Sequence, residues 1–383
     1  MIKNVALTVF YSIFLSLYIA PTRANEDGPG LASVNNAPRI YTIYNILMDE
    51  TATSSRKASR TALKKAQRIA LEKLFRKIIR EEDHKHLPPL TDGQITELVS
   101  GIEIANEKSS PVRYIADFTV HFSRDKIYNF LSAMQLPFAE TLSNPVNILT
   151  VLEKDGASLL WEKGNDWRMA WLNYDTINNL VPIKVITPSR TGRMSMTAWQ
   201  AQQGDPEALD KFARLTGLRT LYIMSARVEN NFTPVGRTLT LKIFKAGDDT
   251  LAYETMVTAD ANAEDLKPLY DEAIKRATYW LDNQWKEKVM IHFGTSSHLI
   301  MDIRFDQSED WFKIKKRLES ISLIRKVTYR KFKTNSAEVE IEHSGDVAQI
   351  TLTLEQEDLI LQAESSDTPE SESWVLTLKK HPL

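Results

Sequence analysis

Apolar residues recur every fourth position along one stretch near the start of the chain, and this spacing predicts a long helix over residues 54–80. Extended apolar runs flank the helix, at residues 39–50 before it and at residues 112–122 after it, and a shorter helix is predicted over residues 124–135. Residues 39–140 are therefore predicted to form an α+β domain with an antiparallel sheet. The apolar face of the long helix consists of Ala58, Ala62, Ala66, Ala70 and Leu74.

A different alternation follows over residues 141–292. Extended runs such as NPVNILTVLE and VPIKVIT are separated by helical patterns, including one predicted helix over residues 196–216. Three extended runs then follow one another, and a long amphipathic helix over residues 263–288 ends the segment. Helices and strands that first alternate and then meander predict a layered α/β domain.

The last segment, residues 293–383, has the clearest order of elements. The strand pattern HLIMDIRF leads to the helical pattern SEDWFKIKKRLESI, and two more strand patterns follow, IRKVTYRKF and AEVEIEH. The run DVAQITLTL fits a helix or a strand, and LILQAE is a predicted strand. This βαββαβ order predicts a ferredoxin-like domain, with SWVLTLKKH as a last strand after a polar spacer.

The first 24 residues predict export. Lys3 precedes the uncharged apolar run VALTVFYSIFLSLYIA, and Thr22 and Ala24 are small residues at the two positions that a signal peptidase reads. A secretory signal peptide over residues 1–24, a polar leader over residues 25–38 and a periplasmic location are the prediction, and an uncleaved N-terminal anchor is the alternative. The chain has no cysteine, which excludes disulfides, thiol nucleophiles and lipoprotein attachment.

Charge is distributed unevenly along a chain that is nearly neutral overall. After removal of Lys3 and Arg23 with the signal peptide, 46 basic and 50 acidic residues remain, a net charge of −4. Residues 56–80 carry ten Lys or Arg and one acid, whereas residues 338–372 carry eleven acids and no Lys or Arg.

Within the basic block, Arg60, Lys64 and Arg68 follow one another at helical spacing and form the candidate interaction face. A solvated helix face is the plain alternative. Nucleic acid is not an expected partner outside the cytoplasm. The remaining partners are an anionic membrane surface, an acidic envelope protein or the acidic domain of the same chain.

The stretch WEKGNDWRMAWLNY, residues 161–174, contains three tryptophans and raises the question of an aromatic cleft. Trp167 and Trp171 are four residues apart and share one helix face, and Asn165 or Asp166 can cap the start of the helix. Aromatic residues at helical spacing favour core packing over a ligand cleft.

The loop TPSRTGR is the stronger candidate for a ligand site. It follows a strand pattern and precedes a predicted helix, so backbone N–H groups could point at an anion. The candidate anion-binding residues are Arg190, Thr191, Arg193 and Ser195, with a solvated connection as the alternative.

Other motifs of metal or catalytic chemistry are missing from the sequence. The run EEDHKH, residues 81–86, offers metal-ligand residue types, but no HExxH partner occurs and a solvated helix end is favoured. Neither GxSxG nor GxGxxG occurs. The sequence therefore predicts no metal, no cofactor and no catalytic residue.

Five stretches cover much of the chain after residue 24. Each has the pattern of residues that pack in a core, and none has a catalytic signature. They are SRTALKKAQRIALEKLFRKI and YIADFTVHFSRDKIYNFLSAMQLPF in the first segment, LLWEKGNDWRMAWL and AQQGDPEALDKFARLTG in the second, and DWFKIKKRLESISLIRKV in the third. Together they resemble an uncharacterised family of secreted bacterial proteins, the domain of unknown function two-thousand-sixty-six. The resemblance implies an envelope location and a multidomain α/β build, and it implies no activity.

These features predict a secreted, periplasmic, non-enzymatic binding or scaffolding protein of the bacterial cell envelope. The alternative is a periplasmic ligand receptor or enzyme with an anion-binding loop in the central segment. A catalytic site that assembles only in three dimensions leaves no motif in the sequence, so the enzyme class stays open.

Overall fold

The computed structural model describes residues 39–218, 220–232, 235–248, 250–260, 265–293, 297–321, 323–364 and 373–379. The signal peptide and leader predicted at residues 1–38 lie outside these ranges. Among the described residues, no helix is long and apolar enough to span a bilayer. Helices combine with sheets of three, six, two and five strands, which confirms the mixed α+β and α/β class.

The first segment is an antiparallel sheet with a long helix packed against it. Its elements are β1 (Thr42–Thr51), α1 (Ser55–Ile78), a 3-10 turn (Glu81–His86), α2 (Asp92–Leu98), β2 (Val99–Ser109), β3 (Arg113–Phe122) and α3 (Arg124–Ala133). The sheet order is β1-β3-β2, and both strand pairs are antiparallel. The N-terminal end of α1 is capped by the Ser54 hydroxyl, which accepts a hydrogen bond from the backbone N–H of Lys57.

Small side chains hold α1 close to its sheet. Ala58, Ala62, Ala66 and Ala70 are fully buried against the core, and so is Leu74. Because four of these five side chains are methyl groups, the helix backbone can approach β1 and β3 closely. The apolar face predicted for this helix is confirmed.

The central segment is a six-stranded mixed sheet with short connecting helices. Its elements, with the two short strands that flank it, are β4 (Phe138–Ala139), β5 (Val146–Lys154), β6 (Ala157–Leu159), α4 (Asp166–Asn173), β7 (Ile183–Val185), α5 (Arg190–Ser195), α6 (Ala198–Gln203), α7 (Pro206–Thr216), β8 (Leu221–Phe232), β9 (Val235–Lys245), β10 (Leu251–Asp260), α8 (Lys267–Val289) and β11 (Met290–Ile291). The order is β10-β9-β8-β5-β6, and β7 also pairs with β5. Within this sheet β5 is parallel to β7 and β8, and the other pairs are antiparallel.

Two helices replace the single one predicted over residues 196–216. Gly204 ends α6 in the left-handed region at φ 65°, and the carboxylate of Asp205 then caps α7, whose first residue is Pro206. The loop predicted before them contains the six-residue helix α5, because the Ser189 hydroxyl accepts a hydrogen bond from the N–H of Gly192. Local caps divide the predicted helix in these places.

Helices cover both faces of the central sheet, which agrees with a layered α/β arrangement. Alternate residues of β5 point to opposite sides, as the strand pleat requires. Ile148 and Leu152 belong to the core that contains α4 and α8, whereas Leu149 and Val151 belong to the core that contains α6 and α7.

The last segment keeps the predicted βαββαβ order and adds a strand inside the sheet. Its elements are β12 (Ser297–Arg304), α9 (Ser308–Ser320), β13 (Ile324–Phe332), β14 (Ser336–His343), α10 (Val347–Gln356), β15 (Leu359–Glu364) and β16 (Ser373–Leu378). The run that fitted a helix or a strand is the helix α10. The sheet order is β13-β14-β12-β16-β15, so β16 separates the first and last strands of the ferredoxin-like order, which would otherwise be neighbours.

The hydrophobic core of the first segment continues into the last one. The link is the short antiparallel pair β4 and β11, in which Ala139 faces Met290. Next to it, the ring of Phe293 lies 5.9 Å from that of Phe138 and 5.6 Å from that of Tyr128, measured between centroids. The first and last segments therefore share one apolar core around the two ends of the central segment.

Candidate functional site

The tryptophans between residues 161 and 174 are core residues, but they serve opposite faces of the central sheet. Trp167 is fully buried and donates its Nε1–H to the carbonyl of Met224 over 2.9 Å, and Trp171 packs beside it at 5.6 Å between ring centroids. Trp161 lies in the core on the other face and donates to the carbonyl of Met196 over 2.8 Å. The stretch is not an aromatic cleft, which confirms the prediction of core packing.

The arginine within this stretch binds the chain itself. Arg168 is buried, and its guanidinium donates to the carbonyls of Leu160 and Glu162, each over 2.6 Å. Asn165 caps α4 by accepting a hydrogen bond from the N–H of Arg168, and its amide donates to the carbonyl of Thr150 over 3.0 Å. Burial lowers the pKa of Arg168 from its usual value. Arg168 and Asn165 thus hold the loop before α4 in place.

The four candidate anion ligands all lie in α5, and they differ in what they contact. Ser195 is buried and donates to the carbonyl of Thr191 over 2.7 Å. Arg193 donates to the carbonyl of Trp161 over 3.3 Å, while the side chains of Arg190 and Thr191 are exposed. Two of the four residues therefore have hydrogen-bond partners in their own chain, and anion binding at this helix stays a prediction.

Part of the basic face of α1 is neutralised by acids from neighbouring elements. Lys65 pairs with Glu50 of β1 at 2.7 Å. Arg68 and Lys64 share Asp92 at the start of α2, at 2.5 Å and 3.9 Å. The hydrogen bond from Arg68 holds the pKa of the Asp92 carboxyl below its usual value. Of the three residues in the candidate interaction face, two are therefore occupied by one carboxylate.

Three cations without an ion pair in the described ranges lie at the N-terminal end of α1, and Lys73 and Arg76 are two more farther along the helix. Arg56, Lys57 and Arg60 are exposed and make no ion pair within the described ranges, and the first turn of the helix contains no acid. The helix macrodipole places further partial positive charge at this end, where anions are favoured and cations are not. The first turns of α1 therefore combine three cations with the positive end of the helix dipole.

The tip of the β2–β3 hairpin lies against the same end of the helix. The hydroxyls of Ser55 and Ser109 share a hydrogen bond of 2.5 Å, and the N–H of Ser55 donates to the carbonyl of Pro111 over 2.7 Å. The hairpin brings in Lys108, which is exposed and has no ion pair among the described residues, and Val112, whose exposure is 47%. We call Arg56, Lys57, Arg60 and Lys108 the cationic corner.

A buried lysine caps the opposite end of α1. Lys286 of α8 is fully buried, and its ammonium donates to the carbonyls of Arg76 and Ile79 over 2.6 Å and 2.9 Å. These carbonyls belong to the last turn of α1, where a cation is favoured by the helix dipole. Burial lowers the pKa of Lys286 to about 8. Lys286 thus joins the first segment to the central one.

Two more charged groups are buried at this junction. Lys77 of α1 donates to the carbonyl of Arg39 over 3.1 Å, and Asp282 of α8 accepts a hydrogen bond from the N–H of Val181 over 2.9 Å. Burial lowers the pKa of Lys77 to about 7 and raises the pKa of Asp282 to about 7. No motif announced these residues, because they are far apart in the sequence.

The last segment carries a partly exposed aromatic cluster that the sequence patterns did not reveal. The ring of Trp311 lies 5.6 Å from Tyr329 and 5.1 Å from Phe332, centroid to centroid. Residues three apart on a regular strand face opposite sides, but a shift in pairing between Tyr329 and Lys331 brings both rings to the same side. Phe332 is 60% exposed and Phe312 on α9 is 66% exposed.

The acidic block of residues 338–372 is partly neutralised within its own sheet. Glu340 of β14 pairs with Arg330 of β13 at 2.9 Å, and Glu338 pairs with Lys331 at 3.5 Å. Cross-strand pairs of this kind stabilise an exposed sheet face. The acidic segment can therefore pair with the basic helix α1 only through carboxylates that these cations do not already bind.

The described residues bring together no group of three His, Asp or Glu that could hold a metal ion. Residues 81–86 form the 3-10 turn, in which the His84 ring lies 3.3 Å from the carbonyl of Ile79.

Comparison with known proteins finds no matching family model, no matching curated protein and no matching solved structure.

Proposed function

We propose that this chain is a secreted, non-enzymatic binding protein of the bacterial cell envelope that attaches to an anionic membrane surface through the cationic corner. The observation that carries the proposal is the contrast along α1. Lys64, Lys65 and Arg68 pair with the two carboxylates of Glu50 and Asp92, whereas the cations of the corner, at the positive end of the helix, have no ion pair in the described part of the chain.

The composition of the corner favours attachment to the surface over insertion. The corner has four exposed cations, and Val112, on the hairpin that lies against it, is an exposed aliphatic side chain. A Lys or Arg near an anionic lipid surface contributes about 1 kcal/mol, so four together favour binding by about 4 kcal/mol. Such binding is screened within ~10 Å at 0.1 M salt and should weaken steeply as salt rises.

Sedimentation with vesicles tests this proposal. The protein without residues 1–24 should sediment with vesicles rich in phosphatidylglycerol at low salt and stay in solution at high salt. It should also stay in solution with pure phosphatidylcholine vesicles. Absence of the protein from the phosphatidylglycerol pellet at low salt would overturn the proposal.

A matched pair of triple variants locates the binding face on α1. The variant Arg56→Gln, Lys57→Gln, Arg60→Gln should lose most vesicle binding. The variant Lys64→Gln, Lys65→Gln, Arg68→Gln removes the same charge from the same helix, but it removes cations that Glu50 and Asp92 already neutralise in part. Its loss of binding should be clearly smaller. Equal losses would assign binding to net charge and not to the corner.

An acidic envelope protein is the other partner that this surface could take. Retention of the protein by envelope extract, without binding to vesicles, would favour that partner.

The envelope location is part of the same proposal, together with the resemblance to the uncharacterised secreted family and cleavage after Ala24. Intact mass of the protein recovered from a periplasmic fraction tests the cleavage, and a mass that includes residues 1–24 would favour the anchored alternative.

The anion-binding receptor or enzyme is the weaker proposal. In the described residues, Arg193 and Ser195 already donate to backbone carbonyls. The variants Arg190→Ala and Arg193→Ala separate the two functions, because a scaffold should tolerate them and an anion site should not.

A further inference from the structure

A cavity of about 500 Å³ lies on the outer side of the tryptophan helix α4, between that helix and the start of α8. Asp166 and Met169 of α4 line it, together with Tyr174, which follows that helix, and Tyr270 of α8. Trp167 and Trp171 face the core from the inner side of the same helix. The stretch that looked like a cleft in the sequence thus borders a cavity with the side opposite to its tryptophans.

Tyr270 forms part of this cavity and has an unused hydrogen-bonding group. The residue is 3% exposed, and its ring lies 5.5 Å from that of Trp167. Its hydroxyl is buried and has no hydrogen-bond partner among the described residues. Burial raises the pKa of Tyr270 to about 12, with Asp166 acting in the same direction and Arg237 against it. A buried hydroxyl without a partner is costly to the folded protein.

The charge around the cavity is negative. Four aspartates and two lysines line it, which leaves a net charge of −2. Burial raises the pKa of the Tyr174 phenol, and the neighbouring carboxylates of Asp271, Glu272 and Asp175 raise it further. Burial is the larger cause of the raised pKa for both phenols, and the nearby carboxylates add to it.

Only one of these four aspartates lacks a partner among the described residues. Asp271 pairs with Lys267, Asp265 accepts a hydrogen bond from the N–H of Lys267 over 2.8 Å, and Asp175 accepts one from the Asn45 amide over 2.6 Å. The carboxylate of Asp166 makes no ion pair or side-chain hydrogen bond in the described part of the chain. Lys154, at the end of β5, is the one lining lysine without an ion pair there.

We propose that this cavity binds an organic cation, an alkylammonium or guanidinium group on an apolar stem. The cation pairs with Asp166, and the stem lies against Met169 and the ring of Tyr174. A cavity of this volume suits a small amine or one basic side chain of a peptide. The proposal is independent of membrane binding, since the cationic corner lies in another segment.

Isothermal titration with defined probes tests the proposal. Cadaverine and agmatine represent free cations, the amide of alanyl-lysyl-alanine represents a basic peptide, and glutarate is the anionic control. Heat of binding with at least one cationic probe and none with glutarate is the expected result, and the stronger of the amine and peptide arms identifies the source. Binding of glutarate alone, or of no probe, would overturn the proposal.

Three variants assign the binding to named residues. Asp166→Asn should weaken binding of the cation about tenfold, because it removes the charged partner. Lys154→Gln should leave binding unchanged or strengthen it, since it removes a competing cation; weaker binding would indicate an anionic ligand instead. Tyr270→Phe should raise the thermal midpoint of the free protein, because the unpartnered hydroxyl is gone. A lower midpoint would contradict the role given to that hydroxyl.

Discussion

Buried charge is the feature that decides most at the scale of single residues. Lys77, Asp282 and Lys286 are buried, and each contacts backbone. Lys77 and Asp282 contact backbone of their own segments, whereas Lys286 of the central segment donates to carbonyls of the first one. Buried charges of this kind give little net stability, because desolvation offsets much of their attraction. Lys286 does require one arrangement of α8 against α1, since any other would leave its ammonium without the carbonyls of Arg76 and Ile79.

The variant Lys77→Met should change how stability depends on pH. The folded-state pKa of Lys77 is about 7, below its ordinary value of 10.5, so burial of the charged form costs stability below pH 7. This cost disappears as pH rises from 7 to 10.5, because the folded state loses its proton first. The variant lacks the cost, and its stability relative to the wild type should fall by about 3–5 kcal/mol across that range.

Urea unfolding of both proteins at pH 6, 8 and 10 measures this difference. The variant also loses the hydrogen bond to the Arg39 carbonyl, which shifts its stability by a similar amount at each pH. A stability difference that does not change with pH would contradict the buried charge of Lys77.

At the scale of elements, short-range caps decide where helices begin and end. The pattern over residues 196–216 is helical throughout, yet Gly204 turns the chain and Asp205 starts a new helix. The turn also fits its surroundings, because a β-carbon at Gly204 would lie 2.2 Å from the ring of Phe244. Phe244 of β9 thus leaves no room for a side chain at the break between α6 and α7.

Gly204→Ala should destabilise the protein by about 2–4 kcal/mol, through the left-handed backbone and the collision with Phe244. Gly217→Ala is the matched control. Gly217 has a similar φ of 68°, but no atom lies within 4 Å of its added β-carbon, so the cost should be only about 1 kcal/mol. Thermal unfolding of the two variants measures both, and equal costs would exclude the contact with Phe244.

At the scale of the whole molecule, the last segment joins the first through a shared core. Its sheet and the helices α9 and α10 bury their own apolar residues, such as Leu318, Val339 and Leu354. The side chain of Gln349 on α10 also reaches the carbonyl of Met290 over 3.4 Å. Independent folding of this segment therefore stays a prediction. The isolated segment should be less stable than the same segment in the full chain.

A fragment that begins at residue 294 should fold alone, because the βαββαβ order closes one core. It should unfold at lower urea concentration than the full chain, since its contacts with β4 and β11 are lost. Amide spectra and urea titrations of the fragment and the full chain check both statements. A fragment without dispersed amide signals would show that the shared core is required for folding.

The sequence by itself determined the elements and most of their order. The four-residue spacing from Ala58 to Leu74 predicts the buried face of α1, and the alternation in AEVEIEH predicts β14. Both predictions succeed because an amphipathic period is a local pattern whose apolar side is buried. The packing of Trp167 and Trp171 followed from the same rule. The residues Gly204, Asp205 and Pro206 are a typical signal for the end of one helix and the start of another. This signal was missed in the sequence because the helical period continues on both sides of Gly204.

Only the tertiary structure decided which side chains meet. Arg68 pairs with Asp92 whereas Arg60 has no ion pair among the described residues, and Lys286 reaches the last turn of α1 from more than 200 residues away. The cavity beside Asp166 likewise needs α4 and α8 together. The periodicity of a helix or strand predicts which of its faces is buried. It does not predict which other element is the partner that covers that face. Ion pairs, hydrogen bonds to distant carbonyls and cavities depend on that partner, so the candidate sites appear only when the segments are packed.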